Sequence, residues 1–372
     1  MKSYIKFIII INIILFNIYK QKKFRPQIKI NILKNGRKYL DKCLQDKSNK
    51  RIFYSKQNPK ISVIIPVYNC EKSIKSSIIS IQNQKMTNFE IILVNDFSKD
   101  NSKYILENIQ QSDSRLIIIN NNKNMGTLYS RSIGVLASKG QYIFALDNDD
   151  LIFNKNLFNV LYKNVKNDKY DILGFKVIYG SNYNSNIYDM FDEPFIKQKN
   201  NIVIYQPELK FFSIKNNDVH IWGKLIKNEI YKNAVNSLGI KRYSIYLCNA
   251  EDDVIIFLLF IKAKSFKFIP YYGLFHLISN NTASFTLSKN HILFSKLFYL
   301  DILIDFTNND FKEKEYVIYN LYLLKNIFLS KINLNTYNKN FLKLILNKIY
   351  KNKFITNSNK KNIIKMFKNI TI

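Results

Sequence analysis

Residues 61–66 read ISVIIP, a short run of apolar and mostly β-branched side chains. Such a continuous run is typical of a strand that is buried on both faces of a parallel sheet. Similar runs follow along the chain: FEIILVN at 89–95, RLIIIN at 115–120 and QYIFAL at 141–146. Segments with helical spacing lie between them, at 73–82, 101–110 and 127–139. This alternation predicts a right-handed, doubly wound α/β half-domain with a mostly parallel sheet.

The last of these strands ends in a cluster of acidic residues, ALDNDD at 145–150. Carboxylates this close repel one another and raise each other's pKa unless a cation lies between them. A divalent ion held by oxygen ligands and by substrate phosphates is the usual resolution. Because open α/β sheets bind ligands at the carboxyl ends of their strands, Asp147, Asn148 and Asp149 predict a metal–diphosphate site at this edge.

The composition sets wide bounds on function. The chain has 372 residues, a hydrophobic fraction of 47% and a formal net charge of +30, so it can bury a sizeable core. The positive charge would suit nucleic acid, an anionic membrane or phosphorylated substrates. Lysine is spread along the whole chain, however, and no nucleic-acid-binding motif accompanies it, so we expect no specific nucleic-acid partner. Three scattered cysteines, Cys43, Cys70 and Cys248, indicate neither a disulfide framework nor a zinc site.

The N-terminal segment Tyr4–Tyr19 is almost wholly apolar. It is slightly shorter than the roughly 20 residues that a membrane-spanning helix prefers. A signal peptide is the alternative, but no small-residue cleavage site follows the segment. We therefore expect residues 1–25 to be an uncleaved hydrophobic anchor, which predicts a single-pass membrane protein. The lysines and Arg25 after the segment favour a cytosolic body, and a luminal body stays open.

The chain is predicted to divide into successive regions: an anchor at 1–25, a helix and linker at 26–58, a nucleotide-binding half at 59–150, an acceptor half at 151–285 and a helical C-terminal extension at 286–372. The acceptor half is expected to be less regular. Its predicted elements are a strand at 170–179, a loop-rich insertion at 187–206, a strand or turn into a helix at 222–226, a helix at 251–262 and a strand at 267–272.

The blocks between residues 61 and 150 resemble the family 2 glycosyltransferases, which have the GT-A fold. The blocks that carry the resemblance are SVIIPVYN at 62–69, EIILVND at 90–96, Ser98, Asp100-Asn101-Ser102, Asn124-Met125-Gly126, Ser130-Arg131, Gly134 and Leu146-Asp147-Asn148-Asp149-Asp150. All of them in this order form a specific signal, and the resemblance continues more loosely to about residue 285. It implies a Rossmann-like, mostly parallel central sheet flanked by helices.

The resemblance also implies how a nucleoside-diphosphate sugar is bound. The nucleotide-sugar contacts would come from Pro66, Val67, Tyr68, Asn69, Asp96, Arg131, Asp147 and Asn148. The metal ligands would be Asp149, Asp147 and His276, holding Mn²⁺ or Mg²⁺ on the diphosphate. Three of these roles keep alternatives: Asp96 could instead cap a helix, Arg131 could pair with the diphosphate or with Asp147, and His276 could be a core residue with its hydrogen bonds satisfied. Asp150 could assist the metal through a water molecule or cap the helix that follows, and we favour the cap.

The acceptor side resembles the family in two further segments. Trp222 and Lys224 match a Trp-x-Lys-Leu segment, and Glu251 with Asp252 match a Glu-Asp pair at a helix start. In such enzymes the Asp is the general base that removes the proton of the acceptor hydroxyl. Because Asp253 follows directly, the register is ambiguous, and we favour Asp252.

These expectations describe a metal-dependent, inverting glycosyltransferase of the hexosyltransferase type. A UDP-sugar is the expected donor, and a glycan, lipid or protein is the expected acceptor. A sugar-nucleotide pyrophosphorylase should have a glycine-rich loop after the first strand, whereas residues 67–71 contain no glycine. The alternative outside enzymes is an inactive, transferase-like basic protein tethered to an anionic membrane or to nucleic acid.

Overall fold

The computed structural model describes residues 58–166, 170–180, 187–188, 202–205, 220–239, 247, 251–277, 289–306, 336–351 and 361. Its strands are β1 (Ile61–Val67), β2 (Phe89–Asn95), β3 (Leu116–Asn120), β4 (Tyr142–Ala145), β5 (Leu151–Ile152), β6 (Ile172–Gly180), β7 (Ile187–Tyr188), β8 (Ile202–Tyr205), β9 (Lys224–Lys227) and β10 (Ser265–Leu277). Its helices are α1 (Ile74–Gln82), α2 (Ser102–Gln110), α3 (Thr127–Ala137), α4 (Leu157–Val165), α5 (Asn228–Leu238), α6 (Glu251–Lys262), α7 (Lys289–Phe306) and α8 (Thr336–Lys351).

The first half of the chain forms the predicted parallel sheet. Its strands lie in the order β3-β2-β1-β4, and every neighbouring pair is parallel. All residues of β1 and β2 are buried, as expected for apolar strands with helices on both faces. Helix α3 approaches β1 closely at Gly134, where an added Cβ would lie 2.6 Å from Cγ2 of Ile64. Glycine is therefore required there by packing.

The second half turns the sheet into a mixed one. Strand β9 lies between β4 and β6 and is antiparallel to both, while β10 is parallel to β6 and antiparallel to β5. The prediction of a mostly parallel sheet is therefore correct for residues 61–146 and wrong for the rest of the described sheet. The reason is the insertion of β9, which arrives from a later part of the chain and runs against its neighbours. This insertion brings residues 220–223 and the start of α6 toward the carboxyl end of β4.

Helices follow the sheet at the C-terminus. Helix α7 packs against α6 and α8, and its Leu297, Phe298 and Leu300 share one hydrophobic core with Val254 and Phe257 of α6. Lys348 of α8 forms ion pairs with acidic residues of α7. The helical character predicted for residues 286–372 is thus present in its two described helices, and the domain boundaries stay a prediction.

The predicted anchor at 1–25, and all of the predicted linker except residue 58, lie outside the described residues. Within the described part of the chain, no helix combines the length and the apolar character needed to cross a bilayer.

Candidate functional site

The candidate site is built from the loops that follow β1, β2 and β4 at one edge of the sheet. The loops after β1 and β2 are tied to each other, because the Asp96 amide donates to the Val67 carbonyl at 2.8 Å. The Asn69 amide donates to Oγ of Ser98 at 3.1 Å, and the Lys99 amide donates to Oδ1 of Asn69 at 2.8 Å. Asn69 therefore holds the two loops together rather than pointing freely into solvent.

Two aromatic rings are exposed at this edge. Tyr68 is 44% exposed and Phe97 is 40% exposed, whereas most of the neighbouring strand residues are fully buried. Phe97 also has a φ of 62°, a left-handed conformation that is unusual for a bulky side chain and that concentrates at functional sites. The family resemblance assigns a nucleotide contact to Tyr68 but none to Phe97, because neither the exposure nor the backbone conformation of Phe97 is readable from its residue type.

Asp96 is buried and uses its carboxylate inside the protein. It accepts hydrogen bonds from Nδ2 of Asn121 at 2.7 Å and from the amides of Met125 and Gly126 at 2.8 Å each. It thereby closes the loop that leads into α3. Asp96 does not cap α2, the helix that follows it, where Asp100 instead accepts the Ser102 amide at 3.0 Å. Contact of Asp96 with a nucleotide stays a prediction.

A cluster of possible metal ligands lies between the loop that follows β4 and the end of β10. Ligand atoms of Asp147, Asp150 and His276 all lie within 4.8 Å of one another. Nδ1 of His276 lies 2.9 Å from Oδ1 of Asp150, which also accepts the Leu277 amide at 3.2 Å. The expectation that Asp150 caps a helix is wrong, because β5 follows it and its carboxylate faces β10.

Asp149 lies beside this cluster rather than in it. Burial, followed by the negative charges of Asp150 and Asp147, raises the pKa of Asp149 to about 7. Burial lowers the pKa of His276, but the charge and hydrogen bond of Asp150 outweigh it and raise that pKa to about 9. Neighbouring Asn148 donates from Nδ2 to the Pro66 carbonyl at 3.2 Å, which ties the loop after β4 to the end of β1.

These residues fit a divalent cation. Carboxylate oxygens are preferred by Mg²⁺ and Mn²⁺, and an imidazole nitrogen is compatible with transition metals. Burial, and after it the charges of Asp150 and Asp147, raise the pKa of Asp149, and a cation among these carboxylates would favour their charged forms. Compared with the expected set of Asp147, Asp149 and His276, the geometry adds Asp150 and places Asp149 at the margin.

Arg131 connects this cluster to the start of α6. The arginine side chain is only 4% exposed; its Nη2 lies 2.8 Å from Oδ1 of Asp147, and its Nη1 lies 2.8 Å from Oδ1 of Asp252. Glu251 lies 4.0 Å from the same Nη1. Of the two partners expected for Arg131, the contact with Asp147 is present. One guanidinium thus joins a candidate metal ligand to the candidate base.

The acidic residues at the start of α6 contact different partners. Asp252 faces Arg131, and its second oxygen accepts the Ile221 amide at 3.1 Å. Burial raises the pKa of Asp252, and the charge of Arg131 opposes that shift. Asp253 instead lies 2.8 Å from Nζ of Lys296 on α7. The geometry therefore favours Asp252 over Asp253 as the residue that faces the candidate metal cluster.

Trp222 lies in a stack of three rings beside the same cluster. Its indole ring stacks on His220 at 4.2 Å and on His276 at 4.9 Å between centroids. Lys224 is buried and donates from Nζ to the His220 carbonyl at 2.6 Å. Lys224 therefore supports the segment that carries Trp222. A lone histidine in a sequence predicts only a structural residue, so the position of His220 in this stack is not predictable from the sequence.

Glu251 should make stability depend on pH. Burial, and then the charge of Asp252, raise the pKa of Glu251 from 4.5 to about 8. Between these two values the unfolded chain ionises this carboxyl while the folded chain keeps it protonated, so folding stability falls as pH rises. Glu251→Gln removes this dependence, and we expect its stability relative to the wild type to increase by at least about 1 kcal/mol between pH 5 and pH 8. Urea unfolding in EDTA at pH 5 and pH 8 measures the difference in the free energy of unfolding between the variant and the wild type. An equal difference at both pH values would contradict the raised pKa of Glu251.

Part of the candidate site lies in a region that matches a known protein family. Residues 62–233 match the family model described as glycosyl transferase family 2. The chain is 30% identical over 190 residues to "Glycosyltransferase GlyG" of Streptococcus pneumoniae serotype 4, covering 48% of this chain and 60% of that protein. It is 33% identical over 106 residues to "GalNAc(5)-diNAcBac-PP-undecaprenol beta-1,3-glucosyltransferase" of Campylobacter jejuni, covering 28% of this chain and 34% of that protein. The chain thus spans at most 60% of the length of these curated relatives.

Solved structures show a similar fold. The crystal structure of S. aureus TarS 1–349 matches with a TM-score of 0.54 at 17% identity, covering 79% of this chain and 81% of that chain. The same fragment of TarS in complex with UDP-GlcNAc matches with a TM-score of 0.53 at 16% identity, covering 83% of this chain and 92% of that chain. At this level of identity the match establishes the mixed α/β fold, with a central sheet flanked by helices.

Proposed function

We propose that this chain, which carries a glycosyl transferase family 2 domain over residues 62–233, transfers a sugar from a nucleoside diphosphate to an acceptor hydroxyl. The family match confirms the resemblance seen in the sequence motifs. The observation that carries the proposal is the double contact of Arg131, which places the candidate base Asp252 next to the candidate metal ligand Asp147. A donor diphosphate at Asp147 would therefore have its anomeric carbon close to Asp252.

The donor would bind across the carboxyl edge of β1, β2 and β4. Tyr68, with its exposed ring, offers a stacking face to the nucleobase, and the preceding Pro66 and Val67 end the strand below it. Mn²⁺ or Mg²⁺, held by Asp147, Asp150 and His276 with Asp149 beside them, would neutralise the charge that develops on the departing diphosphate. The complex of TarS with UDP-GlcNAc supports a UDP-sugar as donor for a fold of this kind.

Asp252 would act as general base. Its carboxylate would take the proton of the acceptor hydroxyl as that oxygen attacks the anomeric carbon and the nucleoside diphosphate leaves, which inverts the anomeric centre. The task needs an ionised carboxylate with a free acceptor position. Arg131 and the Ile221 amide, which both donate to Asp252, favour the charged form and fix its direction. Trp222 and Glu251 would line the acceptor side, and the acceptor itself would be a glycan, a lipid or a protein hydroxyl.

Donor turnover tests the proposal directly. We expect the full chain to release nucleoside diphosphate from one member of a panel of UDP-, GDP- and dTDP-sugars, and to lose this activity in EDTA until Mn²⁺ is restored. Asp147→Asn should lower the rate by about 10²–10³-fold, since stabilisation of the leaving diphosphate is worth several kcal/mol. A coupled assay of diphosphate release measures both effects.

Glu107→Gln is the matched control, because Glu107 is exposed on α2 and pairs only loosely with Lys103 at 3.8 Å. It should leave the rate unchanged. Equal rates for the wild type and for Asp147→Asn would remove the role of Asp147, and no release above background by the wild type would refute the enzymatic proposal and favour an inactive, transferase-like basic protein. The predicted N-terminal anchor would place the enzyme on a membrane, and we retain that localisation as part of the proposal.

A further inference from the structure

Two polar atoms next to the Arg131 contacts are buried without a hydrogen-bond partner among the described residues. They are Nε of Arg131 and the hydroxyl oxygen of Tyr231. Tyr231 lies on α5 and is 1% exposed, and Arg131 lies on α3 and is 3% exposed. The two groups lie close enough for the charge of each to shift the pKa of the other. They do not reach each other with a direct hydrogen bond.

Each of these two buried atoms needs a hydrogen-bond partner, and one molecule between them would serve both. Buried polar atoms are almost always hydrogen-bonded to protein or to an ordered water molecule, and each exception calls for an explanation. An anion is disfavoured here because Asp147, Asp252 and Glu251 also act electrostatically on the Tyr231 hydroxyl. A cation is disfavoured by the guanidinium itself. Water is neutral and can accept both the Nε–H and the phenol O–H.

We propose that Arg131 Nε and the Tyr231 hydroxyl bind one buried water molecule between them, and that Tyr231 is thereby a positioning residue for the reaction. Nη1 and Nη2 of Arg131 already hold Asp252 and Asp147. A guanidinium is planar, so a third contact at Nε fixes its tilt as well as its two ends. Tyr231 therefore acts through Arg131 and sets the direction of the Asp252 carboxylate. The catalytic part of this inference rests on the function proposed above; the water-binding part does not.

The position of Tyr231 explains why this role falls to a tyrosine. Its ring belongs to the hydrophobic core that also contains Leu128, Val135 and Ala234, so phenylalanine would pack there equally well. Only the hydroxyl distinguishes the two residues, and this hydroxyl is buried where the charges of Arg131 and Asp252 act on it. A hydroxyl kept in an apolar core without a partner would cost stability, whereas a water-bonded hydroxyl contributes to it.

Tyr231→Phe tests the proposal because a water-bonded hydroxyl and an unbonded hydroxyl predict Tm changes of opposite sign. If the hydroxyl binds water, its removal leaves Nε of Arg131 less well bonded, and the Tm should fall by about 2 °C. The kcat should fall by about 3–30-fold with the donor KM unchanged, because misdirection of the base affects the chemical step. The pH dependence of kcat should shift as well, since Asp252 loses part of its support.

Tyr142→Phe is the matched control. The Tyr142 hydroxyl is also buried and donates to the Val165 carbonyl at 2.9 Å, and Tyr142 begins β4, three residues before the carboxyl end that carries the site. This variant should show a comparable fall in Tm with kcat and its pH profile unchanged. A crystal structure of the wild-type chain at high resolution should show the water between Arg131 and Tyr231, and it decides this point even if Tyr231→Phe does not fold.

Other outcomes overturn the inference. An unchanged or higher Tm in Tyr231→Phe would show that the hydroxyl was unbonded, and a lower Tm with unchanged kcat and pH profile would remove the positioning role. If the wild type turned over none of the donors, the proposed function would fail, while the direction of the Tm change and the crystal structure would still decide whether water is bound.

Discussion

Asp252→Asn is expected to lower kcat by about 10²–10⁴-fold, the range typical of a lost general base. Asparagine has nearly the same shape, so it can still accept a hydrogen bond from Arg131 through its amide oxygen. It cannot take up the proton of the acceptor hydroxyl. Because Asp252 is assigned to the acceptor step and not to donor binding, the donor Kd should change by only a few-fold. Transfer kinetics with saturating donor, together with titration calorimetry of the donor with Mn²⁺, measure the two quantities separately.

Asp253→Asn provides the control, because it makes the same chemical change one residue further along α6. Its carboxylate binds Lys296 of α7 and not Arg131, so the variant should retain activity within about threefold and lose at most about 1 kcal/mol of stability. The reverse pattern, with Asp253→Asn inactive and Asp252→Asn active, would assign the base to Asp253. Equal loss in both variants would indicate that the start of α6 acts only through its structure.

In this protein, the sequence predicts which segments form strands and helices better than it predicts which strands pair with each other. The apolar run at 61–66 and the acidic start of the helix at 251–262 match β1 and α6 to within one residue, because both signals are local. The position of β9 between β4 and β6 was not predictable, because periodicity shows that a strand exists but not which strand it pairs with. For the same reason the sheet is less parallel than the β-α alternation indicates.

The candidate site shows the same difference between local features, which the sequence predicts, and long-range contacts, which it does not. The cluster at 145–150 could be recognised because its carboxylates are neighbours in the chain. The contact between Arg131 and Asp252 spans 121 positions, and the packing of β9 and α6 against the first half creates it. Tyr231 looks like an ordinary apolar position of an amphipathic helix. Only its packing beside Arg131 gives its hydroxyl a chemical environment.

Arg131→Met is expected to lower the free energy of unfolding by about 3–5 kcal/mol at pH 8 and to abolish transfer. The arginine is buried between Asp147 and Asp252, with Glu251 nearby. Removing it leaves these carboxylates without a counter-charge, and an uncompensated buried charge is strongly destabilising. Methionine has a similar length and keeps most of the packing. Arg131→Lys should recover only part of the loss, because one ammonium cannot hold two carboxylates in the fork geometry of a guanidinium.

The pH dependence separates electrostatics from packing. Burial raises the pKa values of Asp252 and Glu251, so acidification neutralises them early, and the deficit of Arg131→Met should shrink between pH 8 and pH 5. Arg115→Met, which removes the equally buried partner of Asp113 at 2.7 Å, should lose similar stability yet keep its transfer activity at temperatures where it is folded. Urea unfolding in EDTA at both pH values, with transfer assays on the same samples, tests this. A deficit independent of pH would assign the role of Arg131 to packing, because a side chain that compensates acids must matter most at the pH where more of them are charged.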